Sequence, residues 1–293
     1  MASAIYSMTG YGKGVAEKDL RKITVEIKTV NHRFLDLLFK FPRNFQFAET
    51  PARAMISGAL KRGHADVYLN YEDNRVSEGV NLNEELAAGY KKLGERFSAL
   101  GITDDLTASA LIKVPEMVRQ TELEDDEETL LKLISEAAEE ALSNLLTMRK
   151  AEGERLADDI RSKLDGIAEA VNEIKKRAPE VAKEYSEKLS ARVSEALGGV
   201  EIDESRLASE VAFFVDRANI DEELTRLTSH IANYREILDE GGAVGKKLDF
   251  LTQEANREVN TIGSKCNDLQ ITRLVLQLKN EIEMVREQIQ NLE

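Results

Sequence analysis

The run Lys22-Ile-Thr-Val-Glu-Ile-Lys28 has an apolar side chain at every second position. This period of two is typical of a β-strand with one buried face, because successive side chains of a strand point to opposite sides of the sheet. The alternation returns in residues 35–39, and residues 65–71 have similar apolar content. A short helix, opened by Thr50-Pro51 and stopped by Gly63, is predicted between these two segments. Residues 1–75 are therefore predicted to form a β-rich N-terminal domain.

The pattern changes to helices from about residue 83. Asn83 is expected to cap a helix that ends near residue 100, and another helix is expected from Thr103 until just before Pro115. Residues 129–197 carry apolar side chains at heptad-like spacing, which favours long paired helices punctuated at Pro179. The predicted fold class is α+β, a β-rich N-terminal domain followed by a mainly α-helical domain. Its expected parts are residues 1–75, or to about 120 when the first helices are included, a helical arm at 121–200 and a C-terminal helical domain at 201–293.

Composition and targeting signals narrow the class of protein. The chain has 293 residues, of which 32% are charged and 42% hydrophobic, as in a soluble, helix-rich protein. No apolar run approaches the roughly 18 residues of a membrane span. No secretion signal is visible either, so we expect a cytoplasmic protein without membrane contact. The single cysteine, Cys266, excludes an internal disulfide and is expected to be a small, semi-buried side chain.

The net charge of −14 argues against indiscriminate binding of nucleic acid, which needs local positive potential. The charge is unevenly distributed, however. Residues 1–62 hold eleven Lys and Arg against five Asp and Glu. A polyanion can therefore still bind the N-terminal part.

Glycines are dense near the N-terminus, in Ser7-Met-Thr-Gly-Tyr-Gly-Lys-Gly14. Three glycines in eight residues predict a hairpin turn, with a loop that approaches phosphate as the alternative. The segment matches neither of the glycine-rich nucleotide-binding motifs.

A polar stripe follows the helix predicted for Lys247-Leu-Asp-Phe-Leu-Thr-Gln-Glu-Ala-Asn-Arg-Glu-Val-Asn-Thr-Ile-Gly-Ser-Lys265. At about 100° per residue, Asp249, Gln253, Asn256 and Asn260 share one face, and apolar side chains form the opposite side. Asn is a poor helix former, so a face built from amides indicates a partner or a function. We interpret the stripe as a polar site. It is flanked by Glu254, Arg257, Glu258 and Lys265.

A second polar face is predicted on a helix that contains residues 222–230. Glu223, Arg226 and His230 share that face at spacings of three and four. Ion pairing at a helix surface explains such a set without any function. The short Gly-rich link at 241–245 favours antiparallel packing of this helix against the helix at 247–265, so that the two polar faces meet.

Convergence of the acidic side chains would create an oxygen-rich site for Mg²⁺ or Mn²⁺. The candidate metal ligands are Asp216, Glu223, Asp249, Glu254 and Glu258. The candidate catalytic residues are His230, Glu223 and Glu258, because imidazole and carboxylate groups can transfer a proton in a cleavage reaction. Spacing alone does not establish that these residues converge.

Several segments, in order along essentially the whole chain, resemble the YicC family of bacterial endoribonucleases. They are Ser7-Met-Thr-Gly-Tyr-Gly12, Val30-Asn-His-Arg-Phe-Leu-Asp36, Arg62-Gly63, Glu222-Glu-Leu-Thr-Arg-Leu-Thr-Ser-His230, the run 247–265 and Arg286-Glu-Gln-Ile-Gln-Asn-Leu-Glu293. The resemblance implies a cytoplasmic endoribonuclease that acts on single-stranded RNA with a divalent cation, Mn²⁺ or Mg²⁺. It also implies a ring-like homo-oligomer, expected to be a hexamer. Ala255 and Cys266 depart from the residues expected there, and neither lies in the polar stripe.

The resemblance implies a function for the uneven distribution of charge. A basic N-terminal domain can guide the RNA backbone while acidic residues elsewhere hold the metal. Tyr11 and Phe34 are expected in the core, with stacking on bases as the alternative. His32 and His64 are expected to be structural or RNA-facing polar groups. The candidate RNA-binding residues are Lys13, Arg33, Arg43, Lys61, Arg62, Arg226, Asn256, Arg257, Asn260 and Lys265.

Two cleavage mechanisms are open from the sequence. A metal-bound water can attack phosphorus, or a base such as His230 can take the proton of the ribose 2′-hydroxyl so that the RNA attacks itself. Only the second route passes through a 2′,3′-cyclic phosphate. A function of another class is also open, a non-catalytic RNA-binding or adaptor oligomer in which the polar stripe is a subunit interface.

Overall fold

The N-terminal part is a four-stranded sheet in a computed structural model that describes residues 4–75, 80–120, 126–197 and 204–293. The strands are β1 (Gly10–Lys18), β2 (Arg21–Val30), β3 (Leu35–Lys40) and β4 (Gly63–Asp73). Their order is β1-β2-β4-β3. Only β3 and β4 pair in parallel. A 3₁₀ turn at Arg43–Ala48 and helix α1 (Glu49–Ala59) form the crossover that a parallel pair requires.

The predicted alternation of β2 is confirmed, because Ile23, Val25 and Ile27 have no exposed surface. They pack with Val67 of β4 and with the first part of the long helix α4 (Glu127–Leu197). The α+β class predicted from the sequence is therefore confirmed.

A smaller unit follows the sheet. It contains β5 (Val80–Leu82), α2 (Glu84–Ala99), α3 (Ala108–Leu111) and β6 (Val118–Gln120), with β5 and β6 antiparallel. The cap predicted at Asn83 is confirmed, since its side chain accepts a hydrogen bond from Leu86 N. The helix expected from Thr103 is wrong in length, because it occupies only Ala108–Leu111. Asp104 accepts a hydrogen bond from Leu106 N, and this turn holds the segment outside the helix.

Helix α4 is continuous over 71 residues, so the break predicted at Pro179 is wrong. Proline removes one backbone hydrogen bond and strains the preceding turn. Ala178 and Val181 on either side pack against the helical core, which stabilises the helix through this position.

Helix α4 also joins two hydrophobic cores. Leu133, Ile134 and Leu145 pack against the sheet, whereas Ile160 and Leu164 pack among the C-terminal helices. Those helices are α6 (Asp221–Glu240), α7 (Gly245–Lys265) and α8 (Leu269–Ile289). The preceding helix, α5 (Glu204–Ala218), contacts α4 through the stacked rings of Phe214 and Tyr185. The predicted part boundaries near residues 121 and 200 lie outside the described residues.

The glycine-rich N-terminal segment forms a strand, so the hairpin turn predicted there is wrong. Gly12 and Gly14 lie in β1 on the side that faces α4. A methyl group at Gly12 would overlap Ala141 O, and one at Gly14 would overlap Ala137 O. The glycines therefore allow the helix to approach the strand at backbone distance, which is a packing use of the residue rather than a turn.

Within the described parts of the chain, no helix combines the length and the apolar content that would let it cross a membrane.

Candidate functional site

The predicted meeting of two polar helix faces is found between α6 and α7. The carboxylate of Glu223 on α6 is only 6% exposed, and its Oε1 accepts a hydrogen bond of 2.8 Å from Lys265 Nζ on α7. The same ammonium donates to the backbone oxygen of Asn219 at 3.1 Å. Lys265, predicted as an RNA-binding residue, is therefore engaged in holding a buried carboxylate.

One helical turn further along α6, a second pair joins the same two helices. Arg226 Nη1 lies 3.5 Å from Glu258 Oε1, and Glu258 is 5% exposed. The other arm of the guanidinium bonds to Glu222 on its own helix. We call Glu223, Arg226 and His230 of α6, with Glu258 and Lys265 of α7, the polar seam.

The electrostatics of the polar seam keep Glu223 ionised. Burial alone would raise the pKa of this carboxyl group, but the hydrogen bond from Lys265 and the nearby Arg226 outweigh burial, so the pKa lies below its usual value. Two polar atoms of the polar seam remain buried without a hydrogen-bond partner among the described residues, Glu223 Oε2 and His230 Nδ1. Such atoms are rare in folded proteins and call for a water, an ion, a ligand or a catalytic role.

The amide stripe of α7 faces outward beside the polar seam. Gln253 and Asn260 are exposed, and Asn256 is half-buried, whereas Ala255 and Val259 on the opposite side belong to the core. The predicted division of this helix into two faces is confirmed. Asp249 accepts a hydrogen bond from Gln253. A shallow groove follows the stripe and is lined by Gln253, Asn256, Arg257, Asn260, Thr261 and Ser264.

The predicted convergence of acidic residues is not found within one chain. Among the described residues, no group of three or more His, Cys, Asp and Glu side chains is arranged so that it could hold a metal ion. Asp216 is an exposed residue of α5, and Asp249 lies nine residues before Glu258 on α7, about 13 Å along the helix. Glu254 is half-buried between them. The sequence spacing predicts on which helix face each of these side chains lies. The fold does not bring the side chains together.

The predicted basic residues divide into separate places on the sheet. Arg62 Nε donates to Arg33 O at 3.2 Å, so Arg33, Lys61 and Arg62 lie where β3 and β4 begin. Lys13 is exposed on β1, the opposite edge strand, and Arg43 follows the far end of β3. A guanidinium–ring contact of 5.2 Å places Arg33 over Phe34, which is 64% exposed. The core position expected for Phe34 is therefore wrong, and Tyr11 is likewise exposed.

A constellation that the sequence did not reveal lies beside Arg33 and Arg62. His64 Nδ1 is 2.7 Å from Asp36 Oδ2, and the rings of His32 and His64 are 6.5 Å apart between centroids. His32 Nδ1 is 3.0 Å from Phe34 O. We call His32, Asp36 and His64, with Arg33 and Arg62, the histidine corner. The segments 31–33 and 62–64, which contain these histidines and arginines, are visible in the sequence. Their proximity is not, because it depends on the parallel pairing of β3 with β4.

Comparison with known proteins places the chain in a family. Residues 5–158 match the family model described as "Endoribonuclease YicC-like, N-terminal region", and residues 174–293 match "Endoribonuclease YicC-like, C-terminal". The chain therefore belongs to the YicC-like family, as the sequence resemblance indicated.

Two curated relatives are similar over almost their whole length. The chain is 41% identical over 294 residues to a protein of Clostridioides difficile (strain 630), covering 98% of this chain and 99% of the relative. It is 34% identical over 290 residues to a protein of Haemophilus influenzae (strain ATCC 51907 / DSM 11121 / KW20 / Rd), covering 99% of this chain and 100% of the relative. Both relatives are called "Probable endoribonuclease YicC".

Proposed function

We propose that this protein is an endoribonuclease that cleaves phosphodiester bonds in single-stranded RNA. The observation that carries the proposal is the nearly full-length match to relatives called probable endoribonucleases, at identities of 41% and 34%. Both family models contribute, so the sheet and the helical part are each covered. The polar seam and the basic residues around Arg33 and Arg62 are the surfaces that support such a role.

The polar seam is the proposed place of contact with the scissile region of the RNA. The groove along the neighbouring amide stripe offers the amides Asn256 and Asn260 and the guanidinium of Arg257, which can hydrogen-bond to bases and phosphates. Glu223, Glu258 and His230 are the proposed reacting groups beside it. The buried, unpartnered atoms Glu223 Oε2 and His230 Nδ1 support this assignment, because nothing else in the described chain uses them.

We further propose that cleavage at the polar seam requires a divalent cation, Mn²⁺ or Mg²⁺, which would neutralise charge developing on the phosphate. The carboxylates of one chain do not fit a complete metal site, since the described residues gather no group that could hold an ion. The observation that favours a cation is the unpartnered Glu223 Oε2, a hard oxygen donor. Further ligands would come from RNA phosphates, water or a second copy of the chain.

The proposed assembly is a ring-like homo-oligomer, a hexamer. Phe213 on α5 and Phe250 on α7 support association, since they are 68% and 62% exposed. Large apolar side chains that remain exposed can mark interaction surfaces. Phe250 lies on the helix that carries the amide stripe. This placement also favours the second candidate function, an RNA-binding adaptor whose stripe is a subunit interface.

One experiment distinguishes the endoribonuclease from the RNA-binding adaptor. Cleavage of a labelled single-stranded RNA is measured with Mn²⁺, with Mg²⁺ and with a chelator, for the wild type and for Glu223→Gln and Glu258→Gln, while light scattering reports the assembly. Metal-dependent cutting that is lost in folded, assembled variants supports the catalytic seam. Loss of the assembly in these variants supports the interface, and RNA binding without cutting under every condition supports the adaptor. Glu236→Gln, at an exposed residue of the same helix away from the polar seam, is the matched control.

A further inference from the structure

We propose that the histidine corner is a second acid–base centre, one that cleaves RNA by attack of its own 2′-hydroxyl. The inference rests on the proposed function for its substrate, RNA, but not on the polar seam for its chemistry. Its basis is geometric. Two imidazole rings stand 6.5 Å apart at an interplanar angle of 70°, too far to bond to each other and close enough to flank one phosphodiester group.

Hydrogen bonding fixes which nitrogen each ring presents. The partner of His32 Nδ1 is the carbonyl oxygen of Phe34, which can only accept, so Nδ1 carries the proton. The partner of His64 Nδ1 is the carboxylate of Asp36, which also accepts. Both rings therefore have Nε2 as the nitrogen that can face a substrate. His64 Nε2 lies 3.7 Å from Asp66 Oδ1, which also pairs with Lys40 at 2.9 Å, so a substrate at His64 would replace this long contact.

The surroundings suit a nucleotide. Arg33 and Arg62 lie beside the rings, and guanidinium groups recognise phosphate oxygens by paired hydrogen bonds. Phe34 supplies an exposed aromatic face, on which a base can stack. Asp36 is a positioning residue, since its carboxylate accepts a hydrogen bond from His64 Nδ1 and so orients the ring.

The backbone conformation at Gly63 positions His64 next to Asp36. Gly63, between Arg62 and His64, has φ of +109°, a conformation that side-chain-bearing residues rarely adopt. It starts β4 next to Leu35 of β3, and the following pair is His64 with Asp36. An exposed histidine–aspartate pair contributes little to stability. The residues of the pair are therefore expected to be replaceable without unfolding the sheet.

In the proposed step two protons are transferred, one P–O bond forms and one P–O bond breaks. One imidazole, neutral at Nε2, takes the proton of the ribose 2′-hydroxyl as O2′ attacks phosphorus. The P–O5′ bond breaks, and the other imidazole, protonated at Nε2, gives its proton to the leaving O5′. The products are a 2′,3′-cyclic phosphate and a 5′-hydroxyl end. One ring gains the proton that the other loses, and no oxidant, reductant or metal enters the balance.

The corner and the polar seam are distinct within one chain. Asn31, next to His32, donates to Gln290 O at the end of α8, where Leu292 lies against Gly245 at the start of α7. Glu258 follows Gly245 by thirteen residues, about 20 Å along the helix. A phosphate at the corner is therefore out of reach of the carboxylates of the seam, and the two centres can be tested separately.

The test uses the full-length protein and two RNA substrates, a labelled single strand and the same strand with 2′-deoxyribose at the cleaved position. Product ends are identified by mass spectrometry, with Mn²⁺ or with a chelator. With the chelator we expect 2′,3′-cyclic phosphate ends, no cutting of the deoxy-substituted site, and a loss of about 100-fold or more in His32→Gln and in His64→Gln. Asp36→Asn is expected to lower kcat about 10-fold while KM stays within twofold, and Asp36→Glu is expected to recover most of the loss.

Matched controls make the outcome decisive. Asn70→Ala alters an exposed residue six positions along β4 and is expected to cut at the wild-type rate. Circular dichroism and thermal unfolding check that each histidine variant keeps the fold. With the chelator present, cutting of the deoxy-substituted site, linear phosphate ends only, or full activity in both folded histidine variants would overturn the inference while leaving the endoribonuclease in place. Absence of cutting by the wild type under every condition would overturn the endoribonuclease as well.

Discussion

Arg149 Nη2 lies 2.5 Å from Glu293 Oε2, although the two residues are 144 positions apart. The arginine is 1% exposed, and its Nε donates to Ser7 O. It stands on α4 between the two cores and ties the N-terminal segment to the segment that follows α8. Backbone hydrogen bonds between Tyr6 and Glu293 and between Met8 and Asn291 complete the same junction.

Replacing Arg149 by methionine is expected to lower the free energy of unfolding by about 3 kcal/mol. The methionine keeps the apolar volume but leaves the largely buried carboxylate of Glu293 without its partner, which costs more than the pair itself contributes. Chemical denaturation gives the value. Arg155→Met, six residues along α4 at an exposed side chain, is the control and should change stability by less than about 1 kcal/mol. Equal values for the two variants would show that the junction adds no stability.

Gly12→Ala is expected to destabilise the protein by about 2 to 3 kcal/mol, because the new methyl group would overlap Ala141 O and lie 2.6 Å from Leu145 N. These are backbone atoms of α4, so the helix itself must move away from β1. Thermal and urea unfolding measure the change. Gly58→Ala on α1 meets no atom within 4 Å and is expected to be neutral or to stabilise by up to about 1 kcal/mol. A neutral Gly12→Ala would contradict the close packing of β1 on α4.

Asp268→Asn is expected to remove a pH-dependent part of the stability. The hydrogen bond from Arg177 holds the pKa of Asp268 below its usual value, although burial opposes this shift. A lowered folded pKa stabilises the protein above the unfolded pKa of about 3.9, and this contribution is lost as the pH falls through the folded pKa. Asparagine can still cap α8 through Ile271 N, so the change removes the charge and keeps the cap.

At neutral pH the free energy of unfolding of Asp268→Asn is expected to be about 1.5 kcal/mol lower than that of the wild type. This difference should disappear as the pH falls below about 4. Urea unfolding at a series of pH values measures it. Asp165→Asn, at an exposed carboxylate paired with Arg235, provides the comparison and should shift stability little at any pH. A difference in the free energy of unfolding that does not change with pH would show that the ion pair of Asp268 with Arg177 does not cause it.

Arg33→Ala and Arg62→Ala are each expected to weaken binding of single-stranded RNA and to reduce the slope of log K against log salt by about 0.7. Each change removes one phosphate contact and its released counterion. Filter binding or anisotropy between low and moderate salt gives the slope. Arg155→Ala, an exposed arginine on α4, should leave it unchanged. An unaltered slope in both variants would exclude these arginines from the path of the RNA.

Local elements were predictable because their signals are periodic and short in range. The alternation around Ile23, the cap at Asn83 and the two faces of the 247–265 helix follow from side-chain spacing alone, and each is confirmed. The contact between the polar faces of α6 and α7 was also predicted, because a short link leaves few arrangements for two helices. The amide stripe and the paired carboxylates of the candidate site were therefore visible in the sequence.

The sequence thus determined the type and the buried face of elements with a clear period, such as β2 and the helix at 247–265, together with the family to which the chain belongs. The tertiary structure alone decided which distant residues meet: His32 with His64, Arg149 with Glu293, and Gly12 with the backbone of α4. These contacts depend on strand order, register and the docking of elements far apart along the chain, and packing of the whole core sets them. A period of two or 3.6 residues records which side of an element is buried, but it does not record what that side packs against.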